Sequence, residues 1–285
     1  MVKRIFKDIN GKEYDINSIP EGAEFDKLDL SGMDFAELPE VLSTCTVREL
    51  NLCGCEKLSS LKNLPKGIEY LNLNQCYSLL SLEGCPEGLK VLYCSGSHIT
   101  SLKGLPESLK ILICDETNIS SLKGCPKGVE YINCSSCEFL TSLKGCPRGL
   151  KELNCEGCRA LPTLEGLKEG LKVLNCSVCE SLPSLKGCPK SVRMLNCSYT
   201  DIDSLDYCPE GIKKISCWIC YKLKYIPNYI PNEAIKSIPE EDIAKYKDNW
   251  LVEQERKKII ERQKVEIYDR FRKIVIADCH TNSRS

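Results

Sequence analysis

Along most of the chain, apolar residues fall at positions 1, 4 and 6 of a nine-residue phrase, with polar residues mostly between them. The phrase begins at Phe25, Val47, Ile68, Leu89, Leu109, Val129, Leu150, Leu171, Val192 and Ile212, in steps of 20 to 22 residues. One copy reads Leu150-Lys-Glu-Leu153-Asn-Cys155-Glu-Gly-Cys158. Its alternation turns positions 4 and 6 inward and leaves positions 3 and 5 on the outer face of a short strand. A fixed period of this size implies units that cannot bury their apolar faces alone and so must stack. Stacked in parallel, the strands form one sheet along the concave side of a solenoid. The second half of each copy, as in Leu143-Lys-Gly145-Cys146-Pro-Arg-Gly149, holds the Gly and Pro that punctuate turns. It is too short and too Pro-rich for a full helix. Extended or single-turn 3₁₀ segments are predicted on the convex side, with Leu143 and Cys146 turned inward.

The length of a copy depends on its ninth residue. Where this is Cys55, Cys76, Cys137, Cys158 or Cys179, the next copy starts 21 residues later, with two residues before the following Leu. Where it is Ser97, Thr117 or Thr200, a single residue precedes Ile99, Ile119 or Ile202 and the spacing is 20. Side chain and loop length therefore change together.

Both ends depart from the repeat, as an open solenoid requires, because a bare last coil would expose core. Residues 1–24 are predicted to form an N-terminal cap: Ile5 to Ile16 reads as a hairpin turning at Asn10-Gly11, two residues that tolerate positive φ. The repeats occupy 25–224, about ten coils, and 225–285 is the C-terminal cap or tail. There Ser237 is placed to cap a helix, Pro239 suits an early helical position, and Glu240, Glu241 and Asp242 suit its first turn. Apolar residues then recur from Ile243 to Val275, and one or two capping helices are predicted.

Charge narrows the function classes. Lys+Arg 39 against Asp+Glu 40 leaves a net charge of -1, which offers no global attraction to nucleic acid or a membrane surface. Between Glu253 and Lys273, eight Lys/Arg and five Asp/Glu mix their signs, the pattern of a solvated helix face. The start has no apolar core typical of a cleaved secretory signal. Twenty-one cysteines are then expected as reduced thiols in a cytosol.

Four Cys-x-x-Cys pairs, Cys134/Cys137, Cys155/Cys158, Cys176/Cys179 and Cys217/Cys220, have the spacing of zinc ligands. Alignment of the copies favours packing instead. Position 6 is Leu30, Leu52 or Leu73 early and Cys94, Cys114 or Cys134 later, so Cys replaces Leu at a core position. The convex Cys85, Cys125, Cys146 and Cys188 likewise align with Leu64, Leu105 and Leu167. Free Cys behaves as a small apolar filler. No metal and no cofactor are expected. A metal-binding or redox thiol array is the competing reading, with outward Cys53 and terminal Cys279 open to incidental oxidation. Two histidines, His98 and His280, and the lack of a phosphate loop, a dinucleotide fingerprint or a His-Glu-x-x-His motif argue against catalysis.

The sheet face carries the candidate site. Position 5 reads Asp29, Asn51, Asn72, Tyr93, Ile113, Asn133, Asn154, Asn175, Asn196 and Ser216, so a row of Asn able to link coils breaks at Tyr93 and Ile113. Position 3 turns apolar at the same place, with Tyr70, Val91, Ile111 and Tyr131 between Glu49 and Glu152. These six residues are predicted to form one apolar patch that binds a partner, although strand propensity alone also favours Tyr, Val and Ile. Met194, Tyr199, Trp218 and Ile219 form a second cluster near the C-terminal cap, which accounts for burial of Trp218.

Over roughly 200 positions the chain resembles the leucine-rich repeat superfamily. Its inward position-9 Cys is similar to that of the cysteine-containing class. The short coil with its convex Leu-x-x-(Leu or Cys)-Pro resembles repeats of bacterial effectors delivered into host cells. The resemblance implies an α/β solenoid, a right-handed superhelix with a parallel concave sheet. Many such effectors add a ubiquitin-ligase domain with a nucleophilic Cys. The tail here is too short for it, so that activity is not carried over. The expected function is a non-enzymatic, monomeric protein-interaction module in the cytosol, or in a host cytosol if secreted, binding a protein rather than nucleic acid or membrane. The alternative is a substrate-recognition adaptor for a ubiquitin-ligase complex.

Overall fold

The computed structural model describes residues 5–203, 205–223, 226, 229–231 and 234–235. The helix expected beyond Ser237, with His280 and Cys279, lies outside the described residues.

The N-terminal hairpin pairs β1 (Phe6–Lys7) with β2 (Glu13–Tyr14), antiparallel, with Phe6 opposite Tyr14. Its turn differs from the expected Asn-Gly corner: Gly11 alone has positive φ, at 78°, and Asn10 does not. Asp8 explains this. Its Oδ1 accepts from the backbone N–H groups of Asn10 and Lys12, each at 2.9 Å, which holds a three-residue loop rather than a two-residue one. Phe6 and Tyr14 are buried, and the Tyr14 ring meets Phe25 edge-on at 6.5 Å. The hairpin thereby covers the first coil.

The repeats form a parallel β-solenoid with little helix. Its strands are β3 (Glu24–Asp29), β4 (Thr46–Asn51), β5 (Tyr70–Asn72), β6 (Val91–Tyr93), β7 (Ile111–Ile113), β8 (Tyr131–Asn133), β9 (Glu152–Asn154), β10 (Val173–Asn175), β11 (Met194–Asn196) and β12 (Lys214–Ser216). They follow chain order in one ten-stranded sheet, joined by nine turns. Each phrase supplies one strand, and position 4 pairs with position 4 throughout, as in Leu71↔Leu92↔Leu112↔Ile132. Among the described residues one 3₁₀ helix, Glu40–Thr44, lies in the copy with the longest repeat spacing, the 22 residues from Phe25 to Val47. Other convex segments are extended or turned, so the helical half of an α/β solenoid is nearly absent among the described residues.

Positions 1, 4 and 6 build the core. Ile68, Leu71, Leu73, Val129, Ile132 and Cys134 are all fully buried. Convex Leu143 and Cys146 are buried as predicted, whereas Cys85, Cys125 and Cys188 are half-buried. Parallel pairing continues beyond β12, where Ile215 bridges Ile235.

A corner at position 8 keeps the sheet in step. In every coil from Gly32 to Ile219 this residue has φ between 52° and 72°. The turn aims its N–H at the next coil, as in Gly54 N–H to Asn74 O at 2.8 Å and Val178 N–H to Ser198 O at 2.8 Å. Interstrand bonding thus runs past the strand ends. Four coils use Gly here, but Val178, Tyr199 and Ile219 do not, and a left-handed conformation costs an L-residue about 1–2 kcal/mol.

Candidate functional site

The six predicted patch residues meet in two registered rows. Tyr70, Val91, Ile111 and Tyr131 pair in sequence across β5 to β8. In the next outward row, Tyr93 pairs with Ile113, flanked by Asn72 and Asn133. The patch is less open than its composition implies. Tyr70 is exposed and Tyr93 and Ile111 are half-buried, but Val91, Ile113 and Tyr131 are buried. Strands about 4.8 Å apart bring bulky neighbours close enough to shield one another. Burial also pushes the Tyr131 hydroxyl well above its usual pKa, helped by Glu152 and Asp115.

On the N-terminal side the patch is edged by charge. Arg48 donates to Asp26 at 2.7 Å and pairs with Glu49 at 2.6 Å, and Lys27 also reaches Glu49, at 2.9 Å. The same guanidinium lies 5.6 Å from the centre of the Tyr70 ring, a cation–π contact.

The position-5 asparagines do two jobs, of which only one was legible in the spacing. Asn51 Nδ2 donates to Asp29 at 3.0 Å and Asn154 Nδ2 to Asn133 at 3.0 Å, linking adjacent coils. Each Asn oxygen also accepts an N–H two residues on, as from Cys53 to Asn51 and from Glu156 to Asn154. This local bond holds the corner at the strand end. Tyr93 and Ile113 cannot supply it. Asn74 of the preceding coil instead reaches the Ser95 N–H, at 2.8 Å.

Asp115 fills the gap in the ladder after Ile113, a residue that sequence reading passed over. Its Oδ1 accepts from Ser95 Oγ at 2.7 Å and from Asn133 Nδ2 at 3.2 Å. Burial raises its pKa, opposed by the Ser95 bond and its own backbone N–H, with a further push from Glu116. The usable signal was position 7, where most other coils carry Ser, Cys or Asn.

The cysteines point in two directions along the stack. Position-6 thiols reach the following coil, as Cys134 Sγ to Asn154 O at 3.4 Å and Cys155 Sγ to Asn175 O at 3.3 Å. Position-9 thiols reach the preceding coil, as Cys158 Sγ to Cys134 O at 3.1 Å and Cys179 Sγ to Cys155 O at 3.2 Å. Burial pushes the thiols of Cys76, Cys85, Cys125 and Cys137 up to about 12, which disfavours the thiolate needed for metal ligation or attack. Among the described residues no three His, Cys, Asp or Glu side chains are grouped to hold a metal. The half-buried Cys53 thiol is also shifted upward by burial. His98 is exposed, its ring 6.0 Å from that of Tyr77.

In the second cluster Met194 and Tyr199 are half-buried, while Trp218 and Ile219 are buried. Among the described residues the buried Trp218 indole N–H has no hydrogen-bond partner. Among the described residues no helix is long and apolar enough to cross a membrane.

No family model and no curated protein matches the chain. Solved structures do. YopM from Yersinia enterocolitica WA-314 aligns at 19% identity and TM-score 0.48, over 74% of this chain and 54% of that one. The functional domain of InlJ from Listeria monocytogenes, which includes a cysteine ladder, aligns at 16% identity and TM-score 0.36, over 71% of this chain and 55% of that one. The chain thus spans about half the length of these two solved chains. Independently of these alignments, the chain is a cysteine-rich parallel β-solenoid with coils of about 21 residues.

Proposed function

We propose that this solenoid is a non-catalytic interaction module that receives a protein partner on the sheet face centred on Tyr70, Val91, Tyr93, Ile111, Ile113 and Tyr131. The observation that carries the reading is the coincidence of two breaks: the position-3 row is apolar across β5 to β8, and the position-5 row turns apolar on the two central strands of that span, β6 and β7. Elsewhere the position-5 row is largely polar and bonded from coil to coil. Continuous backbone pairing orders the face before any partner arrives, so binding need not fix it. Tyrosine combines a large contact area with few rotatable bonds and is a frequent interface anchor. The module acts as a monomer in a cytosol, a host cytosol if it is secreted, where its thiols stay reduced.

The test is capture from cytosolic lysate by wild type beside a Tyr70→Glu/Ile111→Glu variant whose fold is checked by circular dichroism. These two positions are chosen because neither is buried, whereas a charge at Ile113 would test stability instead. A partner held by wild type should bind the variant about 30-fold more weakly, the loss of one interface hot spot. Equal capture by the folded variant would move the site off this face.

A further inference from the structure

The apolar patch is bordered by carboxylates as well as by the Arg48 network. Asp115 follows Ile113 by two residues and sits beside Ser95 and Asn133, at the strand-end border of the patch. Its two side-chain hydrogen-bond donors are neutral, and both use Oδ1. Glu152 pairs in register with Tyr131 on β9, and Glu116 is exposed next to Asp115. Among the described residues, Asp115, Glu116 and Glu152 form no ion pair, whereas on the opposite flank Glu49 is held by both Lys27 and Arg48.

From this arrangement we infer that the partner inserts a cationic side chain, arginine or lysine, between the tyrosines of the patch and the Asp115 carboxylate. The inference rests on the reading of the sheet face as the binding surface and specifies what that surface recognises. Three features support it. A half-buried carboxylate served by neutral donors alone keeps a desolvation cost that a cation offsets. Tyrosine faces attract cations, and the patch already seats one, since Arg48 lies over Tyr70. Glu116 and Glu152, neither of which is in an ion pair among the described residues, add negative potential, which favours a cation over a neutral or acidic group. Burial, with a smaller push from Glu116, raises the Asp115 pKa, and a cation beside the carboxylate acts in the opposite direction. Arginine fits better than lysine, because its planar group stacks on a ring while donating to a carboxylate.

The experiment uses the full chain labelled with ¹³C in its tyrosine rings, titrated with N-acetyl-arginine amide and, as the neutral isostere, N-acetyl-citrulline amide. The arginine compound should give saturable shifts at Tyr93 and Tyr131 that the citrulline compound does not. Asp115→Asn should weaken this binding about tenfold, the scale of one charge-assisted hydrogen bond, while the Glu116→Gln variant should change it less. No saturable shift, equal shifts with citrulline, or unchanged binding to a folded Asp115→Asn variant would each overturn the inference. The two readings fail separately. A captured protein lost by Tyr70→Glu/Ile111→Glu but held fully by Asp115→Asn retains the sheet face as the site and removes the cation. Capture unaffected by Tyr70→Glu/Ile111→Glu removes the sheet face itself and the inference with it.

Discussion

At the scale of single residues, glycine spacing shows how closely coils approach. Gly145 has φ 95°, and a Cβ there would lie 2.4 Å from the Leu122 carbonyl oxygen and 2.5 Å from Lys123 N. Both neighbours are backbone, so neither can swing aside. Gly32, with φ 64°, meets nothing within 4 Å. Gly145→Ala should therefore cost about 3 kcal/mol, whereas Gly32→Ala should cost about 1 kcal/mol for its conformation alone. Urea unfolding of the two variants checks this; similar losses would mean that φ, not crowding, governs the convex glycines. The sequence marked Gly145 as a turn former, but not that it lay against another coil's backbone.

At the scale of one coil, the link between position 9 and loop length has a hydrogen-bonding cause. A hydroxyl there bonds the position-6 carbonyl of its own coil: Ser97 to Cys94 at 2.6 Å, Thr117 to Cys114 at 2.7 Å and Thr200 to Cys197 at 2.6 Å. A thiol instead bonds that carbonyl in the preceding coil: Cys55 to Leu30 at 3.2 Å, Cys137 to Cys114 at 3.3 Å and Cys220 to Cys197 at 3.2 Å. In the thiol coils the extra loop residue closes a turn, with Leu140 N–H donating to Cys137 O at 3.0 Å and Leu58 N–H to Cys55 O at 3.0 Å. Cys137→Thr alone keeps the long loop with the side chain of the short one. It should lower the melting temperature by several degrees, and additional deletion of the exposed Glu138 should recover most of that loss. If deletion deepens the loss, side chain and loop are not coupled through this bond. Sequence spacing showed that the two vary together, while the direction of each bond depended on coil-to-coil distance.

At the scale of the whole repeat array, the thiols make stability sensitive to alkali. Burial raises Cys76, Cys85, Cys125, Cys137, Cys188 and Cys208 from 9.0 to about 12, and Cys146 to about 11. Above pH 9 the unfolded chain releases these protons while the folded chain keeps them. The unfolded state then binds fewer protons, so stability falls as pH rises from about 9 towards 12 and is fully present below that window. The urea midpoint should drop between pH 8 and pH 10, and less steeply in a Cys85→Ala/Cys125→Ala/Cys188→Ala variant. A slope unchanged by the triple substitution would show that these thiols are not responsible. Because each coil contacts only its neighbours, the loss should spread along the array rather than abolish a single core.

The sequence by itself determined the repeat, its register and the inward set. Positions 1, 4 and 6 must be covered, and in parallel stacking a copy buries all three only against like copies. It also placed Tyr70, Val91, Tyr93, Ile111, Ile113 and Tyr131 in neighbouring rows, since strand alternation fixes which face each occupies. Tertiary structure decided the depth of that patch, because shielding of Val91, Ile113 and Tyr131 depends on the spacing and bulk of side chains on adjoining strands. It alone brought Asp115 to the border of the patch, through Ser95 and Asn133 from the coils on either side. A one-dimensional pattern identifies residues that share a face; contact between coils about 20 residues apart is set by how closely the backbones stack.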